Sequence, residues 1–232
     1  MAARREWERA HWLCLAALAG GTSYFFAVVL RWDGAAVHMW KASGVALLAA
    51  WAVVNARTLD GRMIAAVMAC GALGDWLLDA VGMLQGAAAF AVGHAVAIIL
   101  YLRHRRARLS ASQRALGWLT VPLALIIVWA LSRGAAPDLA MAAIGYTAIV
   151  AAMAAAAWTS RFPRYRTGIG AMLFLASDLF IFASEGGTLS KDVTLWLVWP
   201  LYFGGQALIA RGVVSTLARE ADAPSKGTAG AG

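Results

Sequence analysis

Eight apolar runs of about 17 to 21 residues follow one another along this chain, each long enough for a helix rising 1.5 Å per residue to cross a hydrocarbon layer. They fall at 12–30, 36–55, 63–81, 86–102, 115–131, 139–158, 167–183 and 193–213. In lipid each backbone amide must find a partner inside its own segment, so such runs fold as helices. The spans consume most of the 232 residues and leave short connections without room for a separate soluble domain. The expected fold is therefore all-α, a single eight-helix transmembrane domain over 1–219. A flexible tail rich in Ala, Gly, Ser and Pro is expected over 220–232. The first run begins like a signal peptide, but its apolar stretch continues through Tyr24 and Phe25, which favours an uncleaved span.

Charge then sets the orientation. Of the 20 Lys and Arg, sixteen lie at the N-terminus, in alternate connections and near the C-terminus, whereas Arg31, Arg133 and Lys191 are the positive residues of the opposite connections. Positive residues are retained in the cytoplasm, so both termini are expected there, in what would be a bacterial inner membrane. The net charge of +8 thus reports topology and contact with lipid headgroups, and no nucleic-acid partner is expected. Trp12, Trp32, Trp40, Trp118, Trp158 and Trp196 stand near span ends as interfacial anchors. Cys14 and Cys70 read as core packing, and the scattered histidines predict no metal site.

Ionisable groups inside a span cost about 2.5 to 3.5 kcal/mol each on an insertion scale and so require a partner or a task. This chain places Lys41, Asp75, Asp79 and Asp178 there, with His94 and Tyr202 at mid-membrane. Counting from span ends puts Asp75 and Asp178 about 16 to 18 Å above the inner edge, a common height that points to one cavity. Asp75 and Asp79 share a helix face, as do Tyr202 and Gln206. Pro200 lacks an N–H, so a kink or free carbonyl is expected beside Tyr202. A similarity between 74–77 and 177–180 hints at a four-plus-four repeat, which selection for a buried acid explains equally well. The structural alternatives are snorkelling for Lys41, solvation for Asp79 and ordinary interhelical hydrogen bonds for the rest.

Three passages resemble the YhhN family of multi-pass membrane proteins. They are Leu73-Gly74-Asp75-Trp76-Leu77-Leu78 with the following Phe90 and Gly93-His94, then Phe174-Leu175-Ala176-Ser177-Asp178, and finally Tyr202-Phe203-Gly204-Gly205-Gln206. Ala42 and Ser43 follow Lys41 where the family usually has Pro-Leu, and Ala97 stands where a tyrosine is frequent. Characterised members are lysoplasmalogenases, so the resemblance implies hydrolysis of the vinyl ether bond of a lysoplasmalogen to a fatty aldehyde and a glycerophosphoethanolamine or glycerophosphocholine. The lysophospholipid substrate would enter sideways from the membrane lipids.

That reaction suits the residues. A vinyl ether breaks down when its outer alkene carbon takes a proton and water captures the resulting oxocarbenium ion, which calls for an acid and a carboxylate. Asp75 and Asp178 are the expected catalytic pair, holding one proton between them if they are close. Lys41, Asp79, His94, Ser177, Tyr202 and Gln206 are the expected substrate-binding residues, and no cofactor is called for. The alternative is a small-molecule or proton-coupled transporter, because buried membrane acids also mark transport pathways.

Overall fold

The computed structural model describes residues 2–222, with side chains from His11 onward, and within these residues the chain is helical. Eight helices are long and apolar enough to cross a membrane: α1 (Ala2–Val29), α2 (Ala35–Val54), α3 (Leu59–Ala80), α4 (Met83–Arg103), α5 (Ala111–Leu131), α6 (Pro137–Thr159), α7 (Ile169–Glu185) and α8 (Lys191–Asp222). A 3-10 turn (Ser132–Gly134) follows α5, and a π-helical turn (Arg164–Gly168) leads into α7. The protein is an integral membrane protein.

Local chemistry marks several ends. The Thr58 side chain accepts from the Gly61 amide at the start of α3, and Ser110 and Gln113 form a reciprocal capping box on α5. Pro137 opens α6, where its missing N–H costs nothing. Pro200, by contrast, sits inside α8, which runs unbroken through it, so no broken helix forms there. The same helix continues through Glu220, Ala221 and Asp222, three residues expected in the tail, while 223–232 lie outside the described residues.

Helices α2, α3, α4, α6, α7 and α8 stand around a common interior, with α1 against α2 and α8, and α5 outside against α6 and α7. Below the middle of this ring the interior is filled by Leu48, Ile64, Met68, Leu100, Met153 and Phe174. Helices α7 and α8 meet backbone to backbone, because a Cβ on Gly205 would stand 2.7 Å from the Gly170 carbonyl oxygen.

Contacts between connections show which ends lie together. Asp60 accepts from Arg103 at 3.0 Å and pairs with His104 Nε2 at 2.8 Å, and Arg161 Nε donates to His104 Nδ1 at 2.7 Å. Arg161 also grips Glu220, and Arg57 pairs with Asp222. These contacts gather one set of connections on a basic face. Arg31 meets Asp192 at the other end, where Thr188 also donates to the Leu131 carbonyl at 3.4 Å. Of the expected tryptophan anchors, Trp12, Trp32, Trp118 and Trp196 are exposed, whereas Trp40 and Trp158 are half-buried. Trp40 turns inward because its Nε1 donates to Ser23 at 3.0 Å, and Trp158 because its ring lies where a Gly168 Cβ would stand. Cys14 and Cys70 are free and half-buried.

Candidate functional site

A cavity of about 600 Å³ occupies the half of the bundle opposite the basic face. Its rim carries Asp138 at the start of α6 and Glu185 at the end of α7, both exposed, and Lys41 lines it from α2. Asp178 lies seven residues, about 10 Å, down α7 from Glu185, and Tyr146 lies eight residues down α6 from Asp138. With Asp75 from α3 and Tyr202 from α8 they line the cavity on four helices, and all but half-buried Tyr146 are buried.

Asp75 is 2% exposed, and its Oδ2 accepts a hydrogen bond from the Tyr202 hydroxyl at 2.8 Å. Gln206, one turn along α8, donates from Nε2 to the same hydroxyl at 3.5 Å. Asp178 is 7% exposed; its Oδ1 faces the Ser177 hydroxyl at 3.4 Å, while Oδ2 is buried without a hydrogen-bond partner. The Tyr146 hydroxyl lies beside this carboxyl and 3.4 Å from His94 Nε2. The site therefore has two arms, Asp75–Tyr202–Gln206 and Asp178–Tyr146–His94. No hydrogen bond joins the two carboxyls, and each lines the cavity from its own helix.

An aromatic wall backs the cavity. Phe90 and Phe174 meet Tyr202 edge to face, with ring centroids 5.8 and 5.2 Å apart, and His94 packs edge-on against Phe174 at 4.8 Å. Phe90 can stand this close to α3 because the residue before Asp75 is Gly74, where a Cβ would lie 2.8 Å from the phenyl ring. Trp199 fixes the α8 side by donating its Nε1 to the Gly21 carbonyl at 2.8 Å.

Of the residues singled out by sequence, Lys41, Asp75, Ser177, Asp178 and Tyr202 line the cavity. Asp79 does not. Its two oxygens hold the Lys41 ammonium, each at 2.8 Å, so the lysine's ion pair goes to Asp79 rather than to Asp75. His94 and Gln206 stand behind the aromatic wall, lining a void no larger than about one water. Tyr146, Asp138 and Glu185 were not anticipated. Tyr146 is a hydroxyl-bearing residue at mid-span in α6, and an inventory of mid-span tyrosines would have found it.

Residues 36–213 match the YhhN family. Two curated relatives, from Mycobacterium bovis and Mycobacterium tuberculosis, are each named lysoplasmalogenase. Each is 28% identical to this chain over 178 residues, which cover 74% of this chain and 68% of the relative. No solved structure matches.

Proposed function

The chain belongs to the YhhN family, and from that premise we propose that it is a membrane-embedded hydrolase of lysoplasmalogens. The observation that carries this reading is the cavity itself, in which two buried carboxyls on different helices flank one space large enough for a lipid's reacting end. Such an arrangement can deliver a proton from one side and hold water on the other.

Asp178 would carry the proton, since its buried Oδ2 accepts no short hydrogen bond of the kind that Tyr202 gives Asp75. Transfer to the outer alkene carbon leaves an oxocarbenium ion on the inner carbon and a carboxylate on Asp178. Asp75, held in place by Tyr202, stabilises that cation and takes a proton from the attacking water. The resulting hemiacetal collapses to the fatty aldehyde and the glycerol hydroxyl, and the proton held by Asp75 returns through water to Asp178. Lys41 and its partner Asp79 stand nearer the rim, where the lysine can meet the lipid phosphate. Ser177, Tyr146, His94 and Gln206 set the positions of the two acids and of Tyr202. Under the positive-inside rule the basic face would be cytoplasmic, in a bacterial inner membrane, so the cavity would open on the opposite side.

The test supplies purified protein in detergent with alkenyl and acyl lysophospholipids and measures aldehyde release. Aldehyde from the alkenyl lipid, lost in Asp75→Asn and Asp178→Asn, supports the reading. Equal release from both variants removes the acid pair, and uptake into proteoliposomes without any aldehyde replaces the hydrolase by a transporter.

A further inference from the structure

Helices α4 and α6 touch along part of their length only. At the His94–Tyr146 contact and below it they pack closely, with Gly93, Ala97 and Tyr101 of α4 and Met153 of α6 around the small internal void. Leu139, Ala142, Tyr146 and Met153 recur at helical spacing on one side of α6, so the α4-facing side continues upward through Ala142 and Leu139. There the partner is missing. Ala142, four residues above Tyr146, is exposed, Leu84 in the first turn of α4 is 69% exposed, and both line the cavity. A Cβ on neighbouring Gly145 would find no atom within 4 Å.

The rim is thus of two kinds. Toward α7 it carries the carboxylates Asp138 and Glu185, and toward α4 it carries Leu84, Ala87, Leu139 and Ala142. An apolar break in the wall of a membrane helix bundle opens onto acyl chains, and a carboxylate rim opens onto water and headgroups. At the floor, the Asp178 Oδ2 lies buried without a partner.

We propose that the break between the upper halves of α4 and α6 is a lateral portal for the hydrocarbon chain of a single-chain lipid. The reacting end of the lipid lies at Asp75 and Asp178, its polar head at the Lys41, Asp138 and Glu185 rim, and its chain passes between the upper turns of α4 and α6, past Leu84 and Ala142, into the bilayer. The identity of the reacting lipid rests on the hydrolase reading above; the path of the chain does not. Because the chain leaves the cavity, its length is not limited by the cavity's volume.

The test uses the full chain in liposomes with Ala142→Trp and Leu84→Trp, two exposed positions on different helices, so that a folding defect in one does not decide the outcome. Each is expected to lower the ratio of kcat/KM for long-chain over short-chain alkenyl lysophospholipid by at least about tenfold. An unchanged ratio in both overturns the portal. A lysophospholipid with a photoreactive group in mid-chain supplies a readout independent of turnover. Adducts enriched at Leu84, Leu139 and Ala142 over lipid-facing Ile126, and reduced by Ala142→Trp, sustain the portal even if no aldehyde forms, in which case the hydrolase reading falls alone. Labelling no greater there than at Ile126 overturns the portal while leaving any aldehyde release intact.

Discussion

The hydroxyl of Tyr202 reaches from α8 to α3 and donates to Asp75 Oδ2 at 2.8 Å, the contact that fixes one carboxyl of the candidate site. A hydrogen bond to a charged group contributes about 1.5 to 3 kcal/mol. Tyr202→Phe, which keeps the ring and its packing on Phe90 and Phe174, should therefore slow aldehyde release by about 10- to 100-fold. The thermal midpoint should shift little. Turnover at the wild-type rate would remove Tyr202 from the machinery.

Asp75→Asn and Asp178→Asn keep the shape of each side chain and remove its ability to give or take a proton. Each should lower kcat by at least about 100-fold, the usual scale for a lost acid or base. Asn at 178 can still accept from Ser177, so helical content by circular dichroism should match the wild type. A loss of activity that tracks a loss of helix would instead mark the acids as structural.

Lys41 and Asp79 form a mostly buried ion pair, with side chains 14% and 20% exposed. Lys41→Met leaves Asp79 without its cation and should destabilise the protein by about 1 to 3 kcal/mol. Adding Asp79→Leu should recover most of that loss, because replacing both members removes the stranded charge. Thermal unfolding in detergent of the two single variants and the double variant measures the coupling, and additive effects would show that the pair contributes nothing jointly.

Gly205→Ala tests the α7–α8 contact. Its new methyl would stand 2.7 Å from the Gly170 carbonyl oxygen and 3.1 Å from the Phe174 amide, both backbone atoms that cannot turn aside. Overpacking of this kind costs about 1 to 3 kcal/mol. A thermal midpoint equal to that of the wild type would show that the two helices can separate freely.

Asp33 lies in the connection between α1 and α2. The hydrogen bond from His38 Nε2 at 2.9 Å, helped by the Gly34 amide, holds its carboxyl below the usual carboxylate range. A depressed folded-state value means that the stabilisation is complete above the ordinary Asp range and is lost as pH falls through the lowered one. Amide protection over 31–38, taken relative to the intrinsic exchange rate at each pH, should fall on acidification through that window, and His38→Ala should weaken the dependence, leaving the part due to the Gly34 amide. An unchanged profile in the variant would place its origin elsewhere.

The eight helices were legible because hydrophobic runs of membrane length admit few other structures, and α2 to α6 agree with the sequence reading to within a few residues at each end. The C-terminal end of α8 was not legible. Its last turns are polar, and Arg161 and Arg57 reach them at Glu220 and Asp222 only once the bundle has assembled. At the site, cost alone exposed Asp75 and Asp178, since an acid in mid-span draws attention wherever it stands. Which acid Lys41 would choose could not be read, because Asp75 and Asp79 lie one turn apart on the same face. Tyr146 escaped because a tyrosine's ring is at home among apolar neighbours, and its hydroxyl gains significance only from His94 and Asp178 on other helices.

The close seam between Gly170 and Gly205 ties Asp178 and Tyr202 to a pair of helices with no slack between them. Across the chamber, the upper part of α6 meets no such constraint. Two of the residues lining the chamber are thus carried by a backbone-to-backbone seam, whereas Ala142 and Gly145 on α6 have open space beside them. The distance between Asp178 and Tyr202 is therefore set by main-chain contact, and any larger side chain at 170 or 205 would be felt directly where the two residues line the chamber.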